Sequence, residues 1–278
     1  MSIRIVQSKQ NARLKELRRA LSIPGRNESG LAGIEGPNLL AEAVRAGLHI
    51  ACVFVAQGSE RLLEALRLPE RVEVLSMPRE LLDAALSTET PQPLAALVEP
   101  PDWTWAHVVG DRKESAALIV VLARLQDPGN LGTILRSAEA FGADGVVCLP
   151  GTVSAWNPKA VRASAGSVFR VPVVCANERD ALDWLREAGV RILATTAQGA
   201  QPAELIALDE PVALVIGNEG NGVPVDLATK ADGAVTIPCP GAVESLNAAV
   251  AASVLLYEAA RQRAAKSGGP LERRGGSR

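Results

Sequence analysis

Apolar residues recur along this chain in two rhythms, and the rhythms alternate. Leu14, Leu17 and Leu21 share one face of a helix predicted from about Lys9 to Ala20, with Ser8 as its cap. Short apolar runs at Leu31–Glu35, Ile50–Ala56, Arg71–Leu75 and Leu94–Val98 predict strands. Helical spacing fills the gaps between them at Pro37–Ala46, Ser59–Leu66 and Pro78–Leu86. The first hundred residues therefore form a small α/β module. Pro100 and Pro101 interrupt the pattern, and residues 100–115 predict a linker in which Trp103 and Trp105 pack between domains.

The second half is more regular. Leu118–Leu122 is an unbroken apolar run, as expected of a strand buried on both faces of a parallel sheet. A helix at Leu131–Phe141 and a strand at Gly145–Leu149 complete a βαβ unit, with Gly142 closing the helix. Asn157 and Pro158 form a cap and first-turn pair for a helix to about Ala165. Strands follow at Val171–Cys175, Arg191–Thr195, Val212–Ile216 and Ala234–Ile237, with a helix at Arg179–Ala188. Ser245 starts a long helix to about Ala265, which its Ala and Val content predicts to be buried nearly all round, Val250 and Val254 included. The domain boundaries expected are 1–99, a linker at 100–115, a parallel-sheet domain at 116–265, and a disordered tail at 266–278.

Composition narrows the function classes. Net charge is −2, so the 278-residue chain is no wholesale polyanion binder, but Arg4, Lys9, Arg13, Lys15, Arg18, Arg19 and Arg26 crowd the N-terminal segment. Such a cluster either grips phosphates or is a solvated face. Aromatics are only 3% of the chain, which argues against a base-stacking platform. Cys52, Cys148, Cys175 and Cys239 are far apart in sequence and remote from His49 and His107, so neither a metal site nor a disulfide framework is expected. No signal core or bilayer-length apolar run is present, and the expected location is cytoplasmic.

Three strand ends lead into unusual loops, and ligands bind parallel sheets at the carboxyl ends of strands. The first is Gln126-Asp127-Pro128-Gly129-Asn130-Leu131-Gly132, with Arg136 further along the helix. It is neither a dinucleotide fingerprint nor a P-loop. Arg136 either reaches back to the loop to hold an anion or lies on a solvated face. The second, Gly217-Asn218-Glu219-Gly220-Asn221-Gly222, lets a ligand approach the backbone closely, and it also fits an ordinary turn, although a hairpin is unexpected after a buried strand. The third runs from Ile237 to Asn247; Ser245 is either a helix cap or a ligand contact, and Asn247 can present its amide to a ligand.

Together these segments resemble the three motifs of the SpoU (TrmH) family of RNA 2′-O-ribose methyltransferases, within the SPOUT superfamily. The matching stretches are LARLQDPGNLGTILRSAEAFGADGVV, LVIGNEGNGVP and IPCPGAVESLNAAVAASVLLYE, and the likeness spans about residues 115–262. GIEGPNLLAEAVRAG resembles the family's L30e-like substrate-binding module. The resemblance implies an α/β protein: an N-terminal L30e-like module followed by a parallel-sheet SPOUT domain with a deep trefoil knot. It implies a homodimer that takes a methyl group from S-adenosyl-L-methionine to an RNA ribose, with rRNA placed ahead of tRNA, and with no metal and no membrane. By motif position it assigns catalysis to Arg136, Asn130, Glu219, Ser245 and Asn247, and cofactor binding to Gly217, Ile237, Leu246, Thr195 and Gly220. The Arg136 equivalent is the family's proposed general base; a cationic phosphate anchor is the alternative. A non-catalytic RNA-binding protein that retains the fold is the rival function.

Overall fold

The computed structural model describes residues 3–22, 25, 27–109 and 116–269. The chain divides into two compact units, Met1–Asp102 with Ser154–Arg170, and Trp103–Val153 with Val171–Arg278. The segment 154–170, which lies inside the expected 116–265 stretch, thus packs with the first unit.

The first unit contains β1 (Ile3–Ile5), α1 (Ala12–Ser22), β2 (Ala32–Glu35), α2 (Pro37–Arg45), β3 (Ile50–Ala56), α3 (Arg61–Glu64), β4 (Glu73–Met77), α4 (Arg79–Asp83) and β5 (Leu94–Val98). Its sheet has the order β1-β4-β3-β5-β2. The β1, β4 and β3 strands run parallel, whereas β5 is antiparallel to both β3 and β2. The periodic leucines of α1 bury as expected: Leu14 and Leu17 are fully covered, and they share a core with Phe54, Leu75 and Leu97. The α1 helix starts later than Ser8 suggested, because the Asn11 side chain takes the capping role and accepts from Leu14 N–H at 3.1 Å. The segment 154–170 is fastened to this unit by Arg170, which ion-pairs with Glu42 at 2.8 Å, and by Gly25 N–H donating to the Trp156 carbonyl.

The second unit, with the α7 helix of the segment just described, follows in chain order as α5 (Trp105–Val109), β6 (Leu118–Leu122), α6 (Pro128–Ala140), β7 (Gly145–Cys148), α7 (Pro158–Ala163), β8 (Val173–Cys175), α8 (Glu178–Glu187), β9 (Arg191–Thr195), β10 (Gln201–Pro202), β11 (Val212–Ile216), α9 (Val225–Ala228), β12 (Gly233–Thr236) and α10 (Ala248–Lys266). Its sheet is parallel throughout, in the order β10-β12-β9-β11-β6-β7-β8. The central strands β6 and β11 are buried at every position, which is why they read as unbroken apolar runs. Asn157 caps α7, with Pro158 in its first turn, as predicted.

Several expectations change. Trp103 and Trp105 pack against the second unit's own core, and Trp105 stacks on Trp184 with ring centroids 4.3 Å apart. The α10 helix begins at Ala248, three residues after Ser245, and its cap is Asn247. It is not buried all round: Val250, Val254 and Tyr257 are 48%, 39% and 47% exposed, whereas Ala252, Leu255, Leu256 and Ala259 are covered. Cys148 and Cys175, distant in sequence, stand directly opposite each other on β7 and β8. All four cysteines are free, and Cys175 is exposed. No helix among the described residues is long and apolar enough to cross a membrane. Of the tail expected to be disordered, 270–278 lies outside the described residues.

Candidate functional site

The three loops named from sequence meet at the carboxyl edge of the parallel sheet. The β6 and β11 strands are neighbours in register, with Leu122 opposite Ile216, so the loops that follow them emerge side by side. After β11 the chain turns back on itself: Asn218 N–H donates to the Gly222 carbonyl and Gly222 N–H to the Asn218 carbonyl, both at 2.9 Å. The loop thus contains the ordinary tight turn that its sequence also fits. Gly222 sits at φ +67°, and a Cβ built on Gly217 would come within 2.0 Å of the Gly222 backbone. Space restricts position 217 to glycine, and the positive φ favours glycine at 222.

A chain of side-chain amides joins the loops. Asn247 Nδ2 donates to Asn130 Oδ1 at 3.1 Å, and Asn130 Nδ2 donates to Glu219 Oε1 at 3.1 Å. Glu219 also receives Asp127 N–H at 3.1 Å, Gln126 N–H at 3.4 Å and Asn218 Nδ2 at 3.3 Å. Partial burial works against its charge, but the Asn130 amide and the backbone donors outweigh it, and the carboxyl is held below the ordinary glutamate value. With four N–H partners, Glu219 is a fastener for the β6–α6 loop. It does not bond Arg136 among the described residues.

Both asparagines serve two purposes. Asn247 Oδ1 accepts from Ala249 and Val250 N–H at the start of α10 while its amide reaches Asn130. Asn130 is itself placed by Asp127, whose carboxylate caps α6 by accepting from Asn130 N–H at 2.8 Å. The two helices are then locked by Ser137 Oγ and Ser253 Oγ, 2.7 Å apart, and by an edge-on packing of Phe141 against Tyr257. Arg136 projects from α6 into solvent, with no hydrogen bond or ion pair among the described residues.

Beside this network lies a cavity of about 780 Å³. Thr195, Gly217, Gly220, Ile237 and Leu246, the five residues named for the cofactor, all line it, as do Glu219 and Ser245. Arg136, Asn130 and Asn247 stand outside its wall. Thr195 contributes less than its type suggests, because its hydroxyl is spent on the Val215 carbonyl at 2.8 Å. Sequence reasoning missed Asn218, which organises the second loop. Its Oδ1 accepts from Gly220 and Asn221 N–H, and its Nδ2 donates to the Arg124 carbonyl at 3.0 Å. The signal for it is an Asn opening a Gly-rich turn, a position where the side chain mimics a backbone acceptor. No group of three or more metal-ligating side chains occurs among the described residues.

Comparison with known proteins agrees with this architecture. Residues 117–257 match the model of the SpoU rRNA Methylase family, and residues 11–96 match the MRM3-like substrate binding domain. A relative in Bacillus subtilis, named 23S rRNA (guanosine(2553)-2′-O)-methyltransferase RlmP, is 33% identical over 91% of this chain and 97% of its own length. An uncharacterized tRNA/rRNA methyltransferase of Mycolicibacterium vanbaalenii is 36% identical over 82% of this chain and 76% of its own. Among solved structures, the SpoU methyltransferase AviRb from Streptomyces viridochromogenes, in complex with AdoMet, superposes with a TM-score of 0.81 at 31% identity. That match covers 94% of this chain and 100% of the other. An AdoMet-bound rRNA methyltransferase from Sinorhizobium meliloti gives 0.79 at 30% identity over 93% and 98%. With its cavity, its joined loops and these relatives in agreement, the chain belongs to the SpoU rRNA Methylase family.

Proposed function

We propose that this chain methylates a ribose 2′-hydroxyl of large-subunit rRNA, drawing the methyl from S-adenosylmethionine. The observation that carries the reading is the Asn247–Asn130–Glu219 chain, which fixes all three motif loops against one cavity. The cavity lies within the size range of small-molecule sites, about 300–1,000 Å³. Its wall joins the main chain of Gly217, Gly220 and Gly222 to the apolar side chains of Ile216, Ile237, Leu246 and Leu255, so the residues present fit S-adenosylmethionine. Gly217, Ile237 and Leu246 would hold its adenosine, with Gly220 and Thr195 at the margin. When bound, the cofactor supplies a methyl group already activated on a sulfonium sulfur.

The protein's task is then to place the ribose oxygen in line and manage its proton as the new bond forms. Glu219 is unsuited to be the base, because its carboxylate is low in affinity for a proton and already accepts four N–H donors. An arginine in water keeps its proton. Arg136 is exposed, so it acts as a cation that grips a phosphate and stabilises the developing alkoxide, and the proton leaves to solvent. Asn130 and Asn247 hold the frame against which the ribose is set, and Ser245, which lines the cavity, is assigned to the substrate. The Bacillus relative's name favours rRNA over tRNA.

The wider reading has two further parts. The exposed apolar stripe of Val250, Val254 and Tyr257 on α10 suits burial by a second copy of the chain, in keeping with a homodimer. Ala248, Ala251 and Leu255 of the same helix line the cavity together with Gly217 and Gly222, and the trefoil knot enters this reading through the family resemblance. The enzyme is cytoplasmic on this reading.

Transfer of tritiated methyl to unmethylated 23S rRNA, followed by mapping of a 2′-O-methyl nucleotide, tests the proposal. Cofactor binding with no methyl incorporation into any RNA would instead favour the non-catalytic rival. RNA capture by the first unit has its own test. Arg13 is engaged by Glu16 and Glu73, and Arg170 by Glu42. Among the described residues, Lys15 and Arg18 form no ion pair, and Arg19 is held only at 3.9 Å by Glu28. Reversing Lys15, Arg18 and Arg19 to Glu is expected to weaken RNA binding tenfold or more. It should also flatten the salt dependence by about 0.7–0.9 for each phosphate no longer neutralised. Filter binding at several salt concentrations measures both, and an unchanged slope would reject the role.

A further inference from the structure

Arg124 is held in a backbone conformation that arginine avoids. Its φ is +59°, and among the described residues only Arg67 and Ala165 join it as non-glycines at positive φ. Glycine adopts this region freely, whereas a long side chain does not. Strain of this kind persists where the surroundings over-determine it, and it gathers at functional sites. Here the surroundings are the site itself. Asn218 donates its amide to the Arg124 carbonyl at 3.0 Å, from the same side chain that bonds Glu219. Two and three residues on, Gln126 and Asp127 give their N–H groups to Glu219.

The side chain is shaped to leave the surface. Its stem crosses Gly151, where a Cβ would come 3.3 Å from Arg124 Cγ and crowd it. Arg124 is exposed, and its guanidinium has no hydrogen bond or ion pair among the described residues. Glu219, the carboxylate tied to the Arg124 carbonyl through Asn218, is already occupied by four N–H donors. A stem lying against Gly151, an unspent planar cation and a strained root beside the motif loops form a holder for an external anion.

We propose that Arg124 is a substrate-positioning residue, whose guanidinium binds a phosphodiester of the RNA strand flanking the target nucleotide. The inference rests on the RNA-methyltransferase reading of the same site. It differs from the part given to Arg136: Arg124 grips the strand and takes no part at the reacting oxygen.

Two substitutions separate charge from backbone. Arg124→Gly releases the strain and removes the cation, whereas Arg124→Lys keeps both the strain and the charge. With the full-length protein and an unmethylated 23S rRNA transcript, Arg124→Gly is expected to raise KM for RNA roughly five- to tenfold. The dependence of log K on log salt should fall by about 0.7–0.9, as one phosphate ceases to be neutralised. At saturating RNA, kcat should stay within about twofold, S-adenosylmethionine affinity should not change, and Tm should not fall. Arg124→Lys should keep the wild-type salt slope. Wild-type KM and slope in Arg124→Gly would overturn the proposal. So would a loss of cofactor affinity without a slope change, which would make Arg124 a loop support, or a slope in Arg124→Lys as low as in Arg124→Gly. A parent protein that binds the cofactor but shows no salt-dependent RNA binding would instead end the underlying reading. The slope is measured without turnover, so a wrongly chosen target nucleotide leaves it readable.

Discussion

Arg136→Ala is expected to bind S-adenosylmethionine within about twofold of the parent chain and to lose methyl transfer by roughly 10²–10³-fold or more. The two halves of this expectation come from separate observations. Arg136 is absent from the cavity wall and bonds no residue of the amide network among the described residues, so removing it leaves the cofactor pocket and its fasteners in place. Yet it stands on α6, less than two turns from Asn130, where helical spacing sets it on the face of Gly132. A cation there meets charge that exists only as the ribose oxygen loses its proton, and removing such an interaction lowers kcat rather than raising KM alone. Arg136→Lys separates the two tasks proposed for the cation. A cation that stabilises the alkoxide survives in part as lysine, whereas the forked grip on a phosphate does not. Calorimetric titration with the cofactor and single-turnover methyl transfer measure the two halves. Full turnover by Arg136→Ala would remove Arg136 from the mechanism.

Much of this site was legible because its parts are local. Asn157 before Pro158 is a cap and first-turn pair read from sequence, and it acts as such; Asp127 and Pro128 form another, which starts α6 three residues before the Leu131 expected from sequence. The buried strands β6 and β11 announce themselves by unbroken apolar runs. What stayed hidden is long-range. The bond from Asn247 to Asn130 spans 117 positions and that from Asn130 to Glu219 spans 89, and no spacing rule encodes either. Sequence showed three loops with suggestive residues; only the fold makes Glu219 a fastener of the first loop, with no bond to Arg136 among the described residues. The same limit hid the attachment of 154–170 to the first unit, since Arg170 and Glu42 stand 128 positions apart. Two differences have other physical causes. Ser245 and Asn247 are both good caps, and the choice fell to the one whose amide also reaches Asn130. The exposed stripe on α10 reads as core from sequence because apolar type reports burial of some kind, and a face suited to a second copy looks identical in sequence.

Gly217→Ala is expected to lower cofactor affinity at least tenfold and Tm by about 5–10 °C, the larger effect on the fold of any single change considered. Gly217 leaves β11 directly into the turn, and it is not among the glycines at positive φ, so conformational freedom is not the issue. Space is. An added Cβ would lie 2.0 Å from the Gly222 carbonyl carbon, 2.1 Å from Val223 N and 2.2 Å from the Gly222 oxygen. All three are backbone atoms, so no side chain can swing away to relieve the clash. The turn must open, which breaks both 2.9 Å bonds between Asn218 and Gly222. At about 1 kcal/mol each, with overpacking adding about 1–3 kcal/mol, the loss is several times thermal energy. The damage spreads through Asn218, whose side chain reaches both Arg124 and Glu219, so the motif-one loop loosens as well. Gly220→Ala is the internal control. A Cβ there meets only Asn218 Oδ1 at 3.6 Å, an ordinary approach, and its affinity and Tm should match the parent. Both glycines were named for the cofactor from sequence, and in the structure they part ways: the wall needs Gly217 for its own closure and has room for a methyl at 220. Calorimetric titration with S-adenosylmethionine and thermal denaturation of the two variants decide the matter. Parent-like binding by Gly217→Ala would mean that the turn can re-form around a methyl group, and that the cavity does not depend on it.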